Sequence, residues 1–200
     1  MKLLVATNNA HKLGEYQALL DGLPISLTSL PEEGINAAVE EDGRTFQENA
    51  IIKARAYASM SGVLTMADDS GLEVEALGGA PGVYSSRYAG LDASDVERVH
   101  YLLSKLKDAP WEKRKARFRA VIAIAHPQGG LWVCEGSCEG FVAFEPRGDR
   151  GFGYDPIFYL PDLAVTMAEL PPFVKNRISH RAEAAEKATK VLKELAGRWG

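Results

Sequence analysis

The sequence predicts an α/β fold in which helices cover the faces of a mixed β-sheet. In the first part of the chain, strand-like apolar segments alternate with segments of helical period, which favours parallel strands. Two long strand-like segments then flank a short polar turn, which favours an antiparallel hairpin. A length of 200 residues can bury a substantial core, as one domain or as two small lobes around a cleft.

The first third of the chain predicts three strands and two helices. Residues 2–6, 25–30 and 63–67 read as strands, and residues 12–20 read as a helix. Thr45 and Glu48 have the spacing of a capping box, in which each side chain bonds to the backbone amide of the other residue. The helix that they start runs to about residue 61, and Gly62 suits its C-terminal end. Its apolar face comprises Phe46, Ala50, Ala54, Tyr57 and Ala58.

The remaining chain predicts a loop, a hairpin and two more helices. Residues 78–90 read as a glycine-rich loop and residues 94–107 as a capped helix. Strands at 117–125 and 131–144 enclose the turn at 126–130, and residues 146–156 read as irregular. Pro171 and Pro172 predict a break in regular structure before the last helix, which runs from Ser179 to about residue 196. Without a repeat or a clear linker, the expected organisation is one domain over residues 1–200.

Composition and charge restrict the partners that we expect. A formal net charge of −4 gives no global attraction to nucleic acid or to an anionic membrane, so an anion must be bound by a local cluster of cations. The two cysteines, Cys134 and Cys138, lack the further ligands of a zinc site and are expected to be reduced thiols in or near a sheet. No leader peptide or membrane span is recognisable, so a cytoplasmic protein is expected.

The turn at residues 7–12 (TNNAHK) connects the first strand to the first helix, where proteins often bind phosphate. It lacks the glycines of common phosphate loops. Thr7, Asn8 and Asn9 offer hydrogen-bonding side chains instead, and Lys12 adds charge. A lysine near a helix N-terminus opposes the helix dipole, a mild cost that a bound anion would offset. The alternative is an ordinary surface lysine.

Two acidic clusters are candidates for catalysis and metal binding. Asp68 and Asp69 follow the strand at 63–67, at the carboxyl end where open α/β sheets bind ligands, and adjacent side chains on a strand point in different directions. Glu40, Glu41 and Asp42 precede the capped helix. One carboxylate from each cluster would suit Mg²⁺, which leaves coordination positions for water and substrate phosphates. The alternatives are a solvated turn and a solvated helix entry.

Cationic and aromatic residues elsewhere could bind the rest of a ligand. Lys53 lies beside the apolar face of its helix, so its stem can pack while its ammonium group reaches a cleft. Phe152 lies between Gly151 and Gly153, which suggests a backbone shaped to present the ring to a stacking partner such as a purine, or else a tight turn with a buried Phe. Lys175, His180 and Arg181 offer hydrogen-bond donors, although a solvent-facing His-Arg pair remains the alternative.

Several motifs in a fixed order resemble the inosine triphosphate pyrophosphatases, also described as non-standard purine nucleoside triphosphate pyrophosphatases or dITP/XTP diphosphatases. The resemblance runs nearly from end to end. Its motifs are TNNAHK at 7–12 before Glu15, TFQENA at 45–50 followed by KAR at 53–55, ADDSGL at 67–72, LGGAPG at 77–82 with YSSRY at 84–88, GFGYDPIF at 151–158 and ISHR at 178–181.

The resemblance implies an elongated α/β fold with a central cleft between two lobes. It implies homodimers that hydrolyse ITP, dITP and XTP between the α- and β-phosphates in a Mg²⁺-dependent reaction, releasing a nucleoside monophosphate and pyrophosphate. Such enzymes remove deaminated purines before they enter DNA or RNA. The expected partner is therefore a small nucleoside triphosphate rather than nucleic acid or a membrane.

The resemblance also implies a role for each matching residue. Asp69 would be the catalytic carboxylate, and Glu41 and Asp69 would bind the metal, with Glu40 as the alternative to Glu41. Arg87 is a further candidate contributor to the base pocket. The substrate-binding residues would be Thr7, Asn8, Asn9, Ala10, His11, Lys12, Lys53, Ser70, Phe152, Gly153, Tyr154, Asp155, Lys175, His180 and Arg181.

Two other functions remain open from the residues. A related pyrophosphatase for modified pyrimidine or standard nucleotides would differ only in its base pocket. A nucleotide-binding or regulatory module would hold a triphosphate without cleaving it. Asp68, Asp69 and Glu41 favour an enzyme, since binding alone does not require carboxylates beside an anion that they repel.

Overall fold

The computed structural model describes residues 1–199, and the α/β prediction is confirmed. The strands described there are β1 (Lys2–Val5), β2 (Ser26–Ser29), β3 (Leu64–Val74), β4 (Lys115–Ala125), β5 (Leu131–Val142), β6 (Phe158–Leu160) and β7 (Val165–Thr166). The α-helices described there are α1 (Ala10–Leu19), α2 (Phe46–Ser61), α3 (Asp95–Lys105), α4 (Pro172–Ile178) and α5 (His180–Trp199). None of the helices within residues 1–199 has both the length and the apolar character needed to cross a membrane.

The strands form one mixed sheet of seven strands in the order β2-β1-β3-β4-β5-β6-β7. Strand β1 runs parallel to both of its neighbours, with Leu3 opposite Leu27 on β2 and Leu64 on β3. Strand β6 runs antiparallel to β5 and to β7. The predicted hairpin joins β4 to β5 through residues 126–130, where the His126 N–H donates to the Gly130 carbonyl at 3.1 Å. The parallel part therefore precedes the antiparallel part, as the sequence predicts.

The chain divides into two compact units, and β3, β4 and β5 each contribute residues to both. Unit 1 comprises residues 1–69, 120–136 and the chain from Arg181 onward, whereas unit 2 comprises residues 70–119 and 137–180. Two units agree with the expectation of two lobes. The single domain and the cleft stay predictions.

Each unit has its own apolar core. In unit 1, the core includes Leu3, Met66 and Ile122 from the sheet and Leu192 from α5. The face predicted for α2 is buried, since Ala50 and Ala54 have no measurable exposure, and Ala188 and Leu192 of α5 are equally buried. In unit 2, the core includes Leu72, Val142 and Phe158 from the sheet together with Leu102 from α3.

Three local predictions were wrong. Strand β3 does not end at residue 67 but continues through Asp68 and Asp69 to Val74, because these carboxylates are paired with cations and amides rather than solvated. The capping box of α2 is only half formed. Thr45 accepts the Glu48 N–H at 3.1 Å, but the Glu48 carboxylate accepts the N–H of Arg44, one residue before the cap.

The third error concerns the prolines before the last helix. Residues 172–178 form α4, with Pro172 as its first residue, rather than an irregular segment. Proline is compatible with the first turn of a helix, because the N–H that it lacks has no partner within the helix there. Cys134 and Cys138 both lie on β5, as the sequence predicts, and both are free thiols.

Candidate active site

In unit 1, the turn at 7–12 forms the start of α1, two residues earlier than predicted. Asn9 is the N-cap, and its side-chain oxygen accepts the N–H groups of His11 and Lys12 at 2.9 and 3.1 Å. The Thr7 hydroxyl oxygen accepts the Asn9 N–H at 3.1 Å. Residues 8–11 are exposed, and Thr7 is half-buried. The side chains at 7 and 9 therefore shape the turn, and its remaining polar groups face solvent.

Asp68 is the buried centre of a charge cluster in unit 1. Its carboxylate accepts a hydrogen bond from the Lys12 ammonium at 2.9 Å, and the Arg181 Nε lies 3.8 Å away. Arg181 also contacts Glu15, so α1, β3 and α5 are linked by charge. Burial acts to raise the pKa of Asp68, but Lys12, Arg181 and Lys53 outweigh it and hold that pKa well below its usual range. Asp68 therefore stays ionised at neutral pH.

Asp69 occupies a different environment on the same strand of unit 1. Its Oδ2 accepts a hydrogen bond from the side-chain amide of Asn49 at 3.0 Å, and its Oδ1 lies 3.9 Å from the Lys53 ammonium. Burial raises the pKa of Asp69, although Lys53 and Lys12 oppose that effect. A carboxylate with a raised pKa is a better proton acceptor than an exposed one. As predicted, the two neighbouring aspartates have different partners.

Lys53 connects Asp69 to the acidic cluster before α2. Its ammonium donates to Glu41 Oε2 at 2.8 Å. Burial lowers the pKa of Lys53, but Asp69, Asp68 and Glu41 outweigh it and raise that pKa above its ordinary value. Glu40 is exposed, whereas Glu41 is half-buried. Of the two glutamates, Glu41 therefore has the position that fits a role beside Asp69.

The donor set in unit 1 fits the Mg²⁺ that the family resemblance implies. The carboxylates of Glu41 and Asp69 both lie within 4 Å of the Lys53 ammonium nitrogen, so two carboxylates are available beside one cationic group. Within residues 1–199, no group of three or more His, Cys, Asp or Glu side chains has the geometry of a metal site. Two carboxylates suit Mg²⁺, which retains water and substrate phosphate as ligands.

In unit 2, the segment from Gly151 to Asp155 presents the Phe152 ring. Asp155 is buried, and its Oδ2 accepts the Phe152 N–H at 3.0 Å and a hydrogen bond from the Lys175 ammonium at 2.5 Å. The same ammonium lies 4.9 Å from the centre of the Phe152 ring, a cation–π distance. One buried ion pair thus holds both the backbone and the ring of this segment.

Further contacts within unit 2 hold the same segment. The Gly153 N–H donates to Asp95 at the start of α3 at 2.6 Å, and the Tyr154 hydroxyl donates to the Ser85 carbonyl at 2.9 Å. Burial raises the pKa of Tyr154 well above its usual value, so its hydroxyl remains a donor. The segment is therefore fixed at three consecutive residues, Phe152, Gly153 and Tyr154.

His180 is also buried in unit 2, where it stacks on Phe118 with ring centres 4.7 Å apart.

Gly151 and Gly153 form a matched pair for testing this arrangement. Both have positive φ angles, +74° and +62°, which disfavour side chains. A Cβ atom at residue 151 would lie 2.0 Å from Asp155 Oδ2, whereas one at residue 153 would meet no atom within 4 Å. We expect Gly151→Ala to lower the free energy of unfolding by roughly 2 kcal/mol more than Gly153→Ala, because it also disturbs the buried ion pair. Urea unfolding of both variants measures the difference, and equal losses would contradict it.

The structure brings the predicted residues together in two groups. Lys12, Glu41, Lys53, Asp69 and Arg181 lie in the unit 1 cluster, while Phe152, Asp155 and Lys175 contact one another in unit 2. Ser70 is a half-buried residue of β3. Arg87 stacks on the exposed ring of Tyr84, 5.1 Å from its centre. The binding, catalytic and metal-binding roles of all the predicted site residues stay predictions.

Sequence reasoning missed Asn49 and Asp95. Asn49 lies on the face of α2 that the apolar pattern assigns to the core, and a polar residue at such a position was the signal. Asp95 follows the cap of α3 and looks like an ordinary first-turn acidic residue, so nothing in the sequence indicated its contact with Gly153. The pairing of Lys12 with Asp68, 56 residues apart, also required the folded chain.

The fold and the charge cluster define an α/β protein with paired carboxylates beside buried cations. The family model described as the Ham1 family matches residues 3–191. Over 195 residues, the chain is 51% identical to the dITP/XTP pyrophosphatase of Desulforamulus reducens, covering 98% of this chain and 97% of that protein. It is 47% identical to the Bacillus subtilis protein of the same name, covering 94% of this chain and 96% of that protein.

Solved structures agree with this similarity. A HAM1 protein from Coxiella burnetii superposes with a TM-score of 0.89 at 47% identity, covering 97% of this chain and 99% of that one. A Mycobacterium abscessus structure described as a nucleoside-triphosphatase, or dITP/XTP pyrophosphatase, gives a TM-score of 0.77 at 41% identity, with 94% and 98% covered. The chain belongs to the Ham1 family. The family resemblance predicted from the motifs is confirmed.

Proposed function

We propose that this protein hydrolyses the non-standard purine nucleotides ITP, dITP and XTP to the nucleoside monophosphate and pyrophosphate, and so clears deaminated purines from the nucleotide pool. The observation that carries the proposal is the unit 1 cluster, in which Asp69 lies between the Asn49 amide and the Lys53 ammonium. Relatives that are about half identical over nearly the whole chain are named dITP/XTP pyrophosphatases, which supports this substrate class.

The cations of unit 1 are assigned to the triphosphate. A polyphosphate repels an incoming nucleophile until its charge is neutralised. An ammonium group carries three N–H donors, so Lys12 can keep its bond to Asp68 while it binds a phosphate oxygen. The exposed turn at 8–11 adds polar groups that face solvent at the start of α1, and Lys53 adds a second cation. Asp68 and Glu41 hold these ammonium groups in place.

Asp69 is assigned the role of general base. A water molecule attacks a phosphorus atom of the α–β linkage, its proton passes to Asp69, and the P–O bond of that linkage breaks to release pyrophosphate. Burial raises the pKa of this carboxylate, which favours the transfer, and the Lys53 ammonium lies 3.9 Å from its Oδ1. The Mg²⁺ that we assign to Glu41 and Asp69 would supply charge neutralisation at the phosphates.

Binding of the purine base is assigned to seven residues that the family resemblance identifies: Phe152, Gly153, Tyr154, Asp155, Lys175, His180 and Arg181. Phe152 offers a ring face for stacking. Donors directed at a 6-keto group would bind hypoxanthine or xanthine but leave the exocyclic amine of adenine unpaired, and an unpaired buried polar group costs binding energy. Selection against ATP follows from that cost.

The test incubates the protein and Mg²⁺ with ITP, dITP, XTP, ATP, GTP and dTTP, and measures pyrophosphate and orthophosphate separately. We expect pyrophosphate from the first three nucleotides, and loss of turnover when EDTA removes the metal. Orthophosphate alone would indicate a different bond cleavage. Equal turnover of all six would defeat the assigned selectivity, and binding without turnover would favour the regulatory module.

Glu41 and Glu40 provide a matched pair for the metal assignment. We expect Glu41→Gln to lower kcat by about 10²-fold, because the variant loses one carboxylate at the assigned metal and the charged partner of Lys53. Glu40→Gln should retain kcat within about twofold, because the exposed Glu40 side chain lies outside the cluster. The measurement is kcat for ITP as a function of Mg²⁺ concentration. The reverse ranking would transfer the metal role to Glu40.

We also propose that the protein is a homodimer located in the cytoplasm. The family resemblance supports the dimer. The proposed function supports the cytoplasmic location, because an enzyme that clears the nucleotide pool needs access to that pool. Light scattering coupled to size-exclusion chromatography should give twice the mass of one chain. A mass equal to one chain at micromolar concentration would contradict the dimer.

A further inference from the structure

Asn49 is a buried polar residue on α2 to which neither the family motif assignment nor the proposed mechanism gives a part. It is 1% exposed and lies one turn before Lys53 on the same helix. Burial of a primary amide costs free energy unless its donor and acceptor groups are hydrogen-bonded. Its contacts within unit 1 therefore indicate why an apolar residue does not occupy this position.

The two ends of the Asn49 amide bind two different parts of the cluster. Its Oδ1 accepts the N–H of Gly43 at 2.8 Å, and its Nδ2 donates to Asp69 Oδ2 at 3.0 Å. The orientation of the amide follows from chemistry, since a backbone N–H only donates and a carboxylate only accepts. A flipped amide would face both partners with the wrong group. One side chain thus joins β3 to the segment before α2.

Gly43 is fitted closely against this amide. A Cβ atom at residue 43 would lie 2.6 Å from Asn49 Oδ1 and 2.8 Å from the Cβ of Glu48. Both distances are shorter than real side chains tolerate, so an alanine there would displace the segment or the amide. The hydrogen bond from Gly43 thus depends on the absence of a side chain at that position.

The segment that Gly43 anchors carries Glu41, two residues earlier. Lys53 donates to Glu41 at 2.8 Å and lies 3.9 Å from Asp69. Asn49 and Lys53, on successive turns of α2, therefore connect the same two parts of unit 1, the first through the hydrogen bonds of a neutral amide and the second through an ammonium charge. The amide hydrogen bonds are directional, whereas an ammonium group tolerates many orientations of a carboxylate.

We propose that Asn49 is a positioning residue for hydrolysis, which orients the Asp69 carboxylate and holds the Glu41 segment in register with it. The inference rests on the proposed role of Asp69 as general base. The hydrogen bond from Asn49 to Oδ2 restrains rotation of the carboxylate and keeps its Oδ1 on the side of Lys53. Small errors in the alignment of a proton acceptor lower the rate of the chemical step more than they lower substrate affinity.

The test compares Asn49→Leu with Thr65→Val. Leucine has the same branched shape as asparagine but a larger volume, and it removes both hydrogen bonds. Thr65 is a fully buried polar residue of β3 whose hydroxyl donates to the Val63 carbonyl, so its variant controls for the loss of a buried polar contact in the same unit. For each variant, kcat and KM for ITP are measured, together with the melting temperature and the calorimetric Kd of α,β-methylene ITP.

We expect Asn49→Leu to lower kcat by roughly 10- to 100-fold, the value of a hydrogen bond to a charged group, while KM and the Kd of the analogue change by less than about threefold. Thr65→Val should retain kcat within about twofold. Unchanged kcat in Asn49→Leu, or a loss of kcat matched by Thr65→Val at the same melting temperature, would overturn the proposal. Weakened analogue binding with kcat intact would also overturn it.

Gly43→Ala tests the proposal if Asn49→Leu does not fold. It changes a loop residue whose φ lies outside the left-handed region, so backbone strain is not expected. We expect a fall in kcat of at least about fivefold with the Kd of the analogue retained, because the displaced amide no longer aligns Asp69. Unchanged kcat would refute the link between the two segments. Failure of the proposed function is distinguishable, since the wild-type protein would then release no pyrophosphate from ITP.

Discussion

Replacing Asp69 with asparagine should remove almost all turnover while leaving the fold intact. We expect kcat for ITP to fall by about 10²- to 10⁴-fold, because an amide cannot accept the proton of the attacking water. The amide oxygen introduced at this position can still accept the Asn49 hydrogen bond that Asp69 Oδ2 accepts, so folding should persist. Pyrophosphate release under saturating ITP and Mg²⁺ measures the effect.

A matched control for Asp69→Asn is Asp21→Asn, which makes the same chemical change at an exposed position of unit 1. It should retain kcat within about twofold, as surface substitutions usually do. Circular dichroism and the calorimetric Kd of α,β-methylene ITP separate loss of chemistry from loss of folding or binding. Full activity of Asp69→Asn would exclude this residue as the base.

Replacing Asp68 with asparagine should produce the largest loss of stability in the cluster. Asp68 is almost fully buried and pairs with Lys12, and Arg181 lies nearby. Removing one partner of a buried ion pair leaves the other charge uncompensated, which costs about 3–5 kcal/mol. We therefore expect a fall of about 3 kcal/mol or more in the free energy of unfolding at pH 7, measured by urea denaturation in the presence of EDTA.

The effect of Asp68→Asn should depend on pH in a defined direction. The pKa of Asp68 is lower in the folded protein than in the unfolded chain, where an aspartate titrates near about 3.9. The ion pair of Asp68 thus contributes its full stabilisation of the folded state above that pH. This stabilisation is lost as the pH falls through the lower folded pKa. The stability gap between wild type and variant should narrow progressively below about pH 4. A gap that stays constant from pH 7 to pH 3 would contradict the assignment.

Asp21→Asn again serves as the control for the pH series. Its exposed carboxylate should give a difference from wild type within about 0.5 kcal/mol at every pH. If this variant reproduced the pH-dependent gap, the effect would reflect net charge rather than the buried pair at Asp68.

The strength of local sequence signals explains which elements were predicted correctly. Apolar periodicity, capping residues and turn residues located α2, α3, α5 and the β4–β5 hairpin, because each of these signals depends only on local geometry. The same reasoning ended β3 too early, at residue 67, since it placed the two aspartates beyond the carboxyl end of the strand. It also assigned Pro172 to a break, although proline at the first helical position is favourable.

The motifs located the candidate site more completely than they explained it. Residues at positions 7–12, 53, 69, 152–155, 175 and 180–181 were all identified from the chain. Their contacts were not, because Lys12 meets Asp68 across 56 residues and Gly153 meets Asp95 across 58. Such pairings depend on how strands and helices pack, and no local pattern encodes them.

The sequence by itself determined the mixed α/β fold, the Ham1 family and the residues that could carry chemistry, because periodicity and motif order are properties of the chain. The tertiary structure alone decided the environments of the two neighbouring aspartates. Asp68 is held ionised by Lys12 and Arg181, whereas burial raises the pKa of Asp69 beside Asn49. The physical reason is that desolvation and charge pairing depend on which distant groups surround a carboxylate, and only the folded chain brings those groups together.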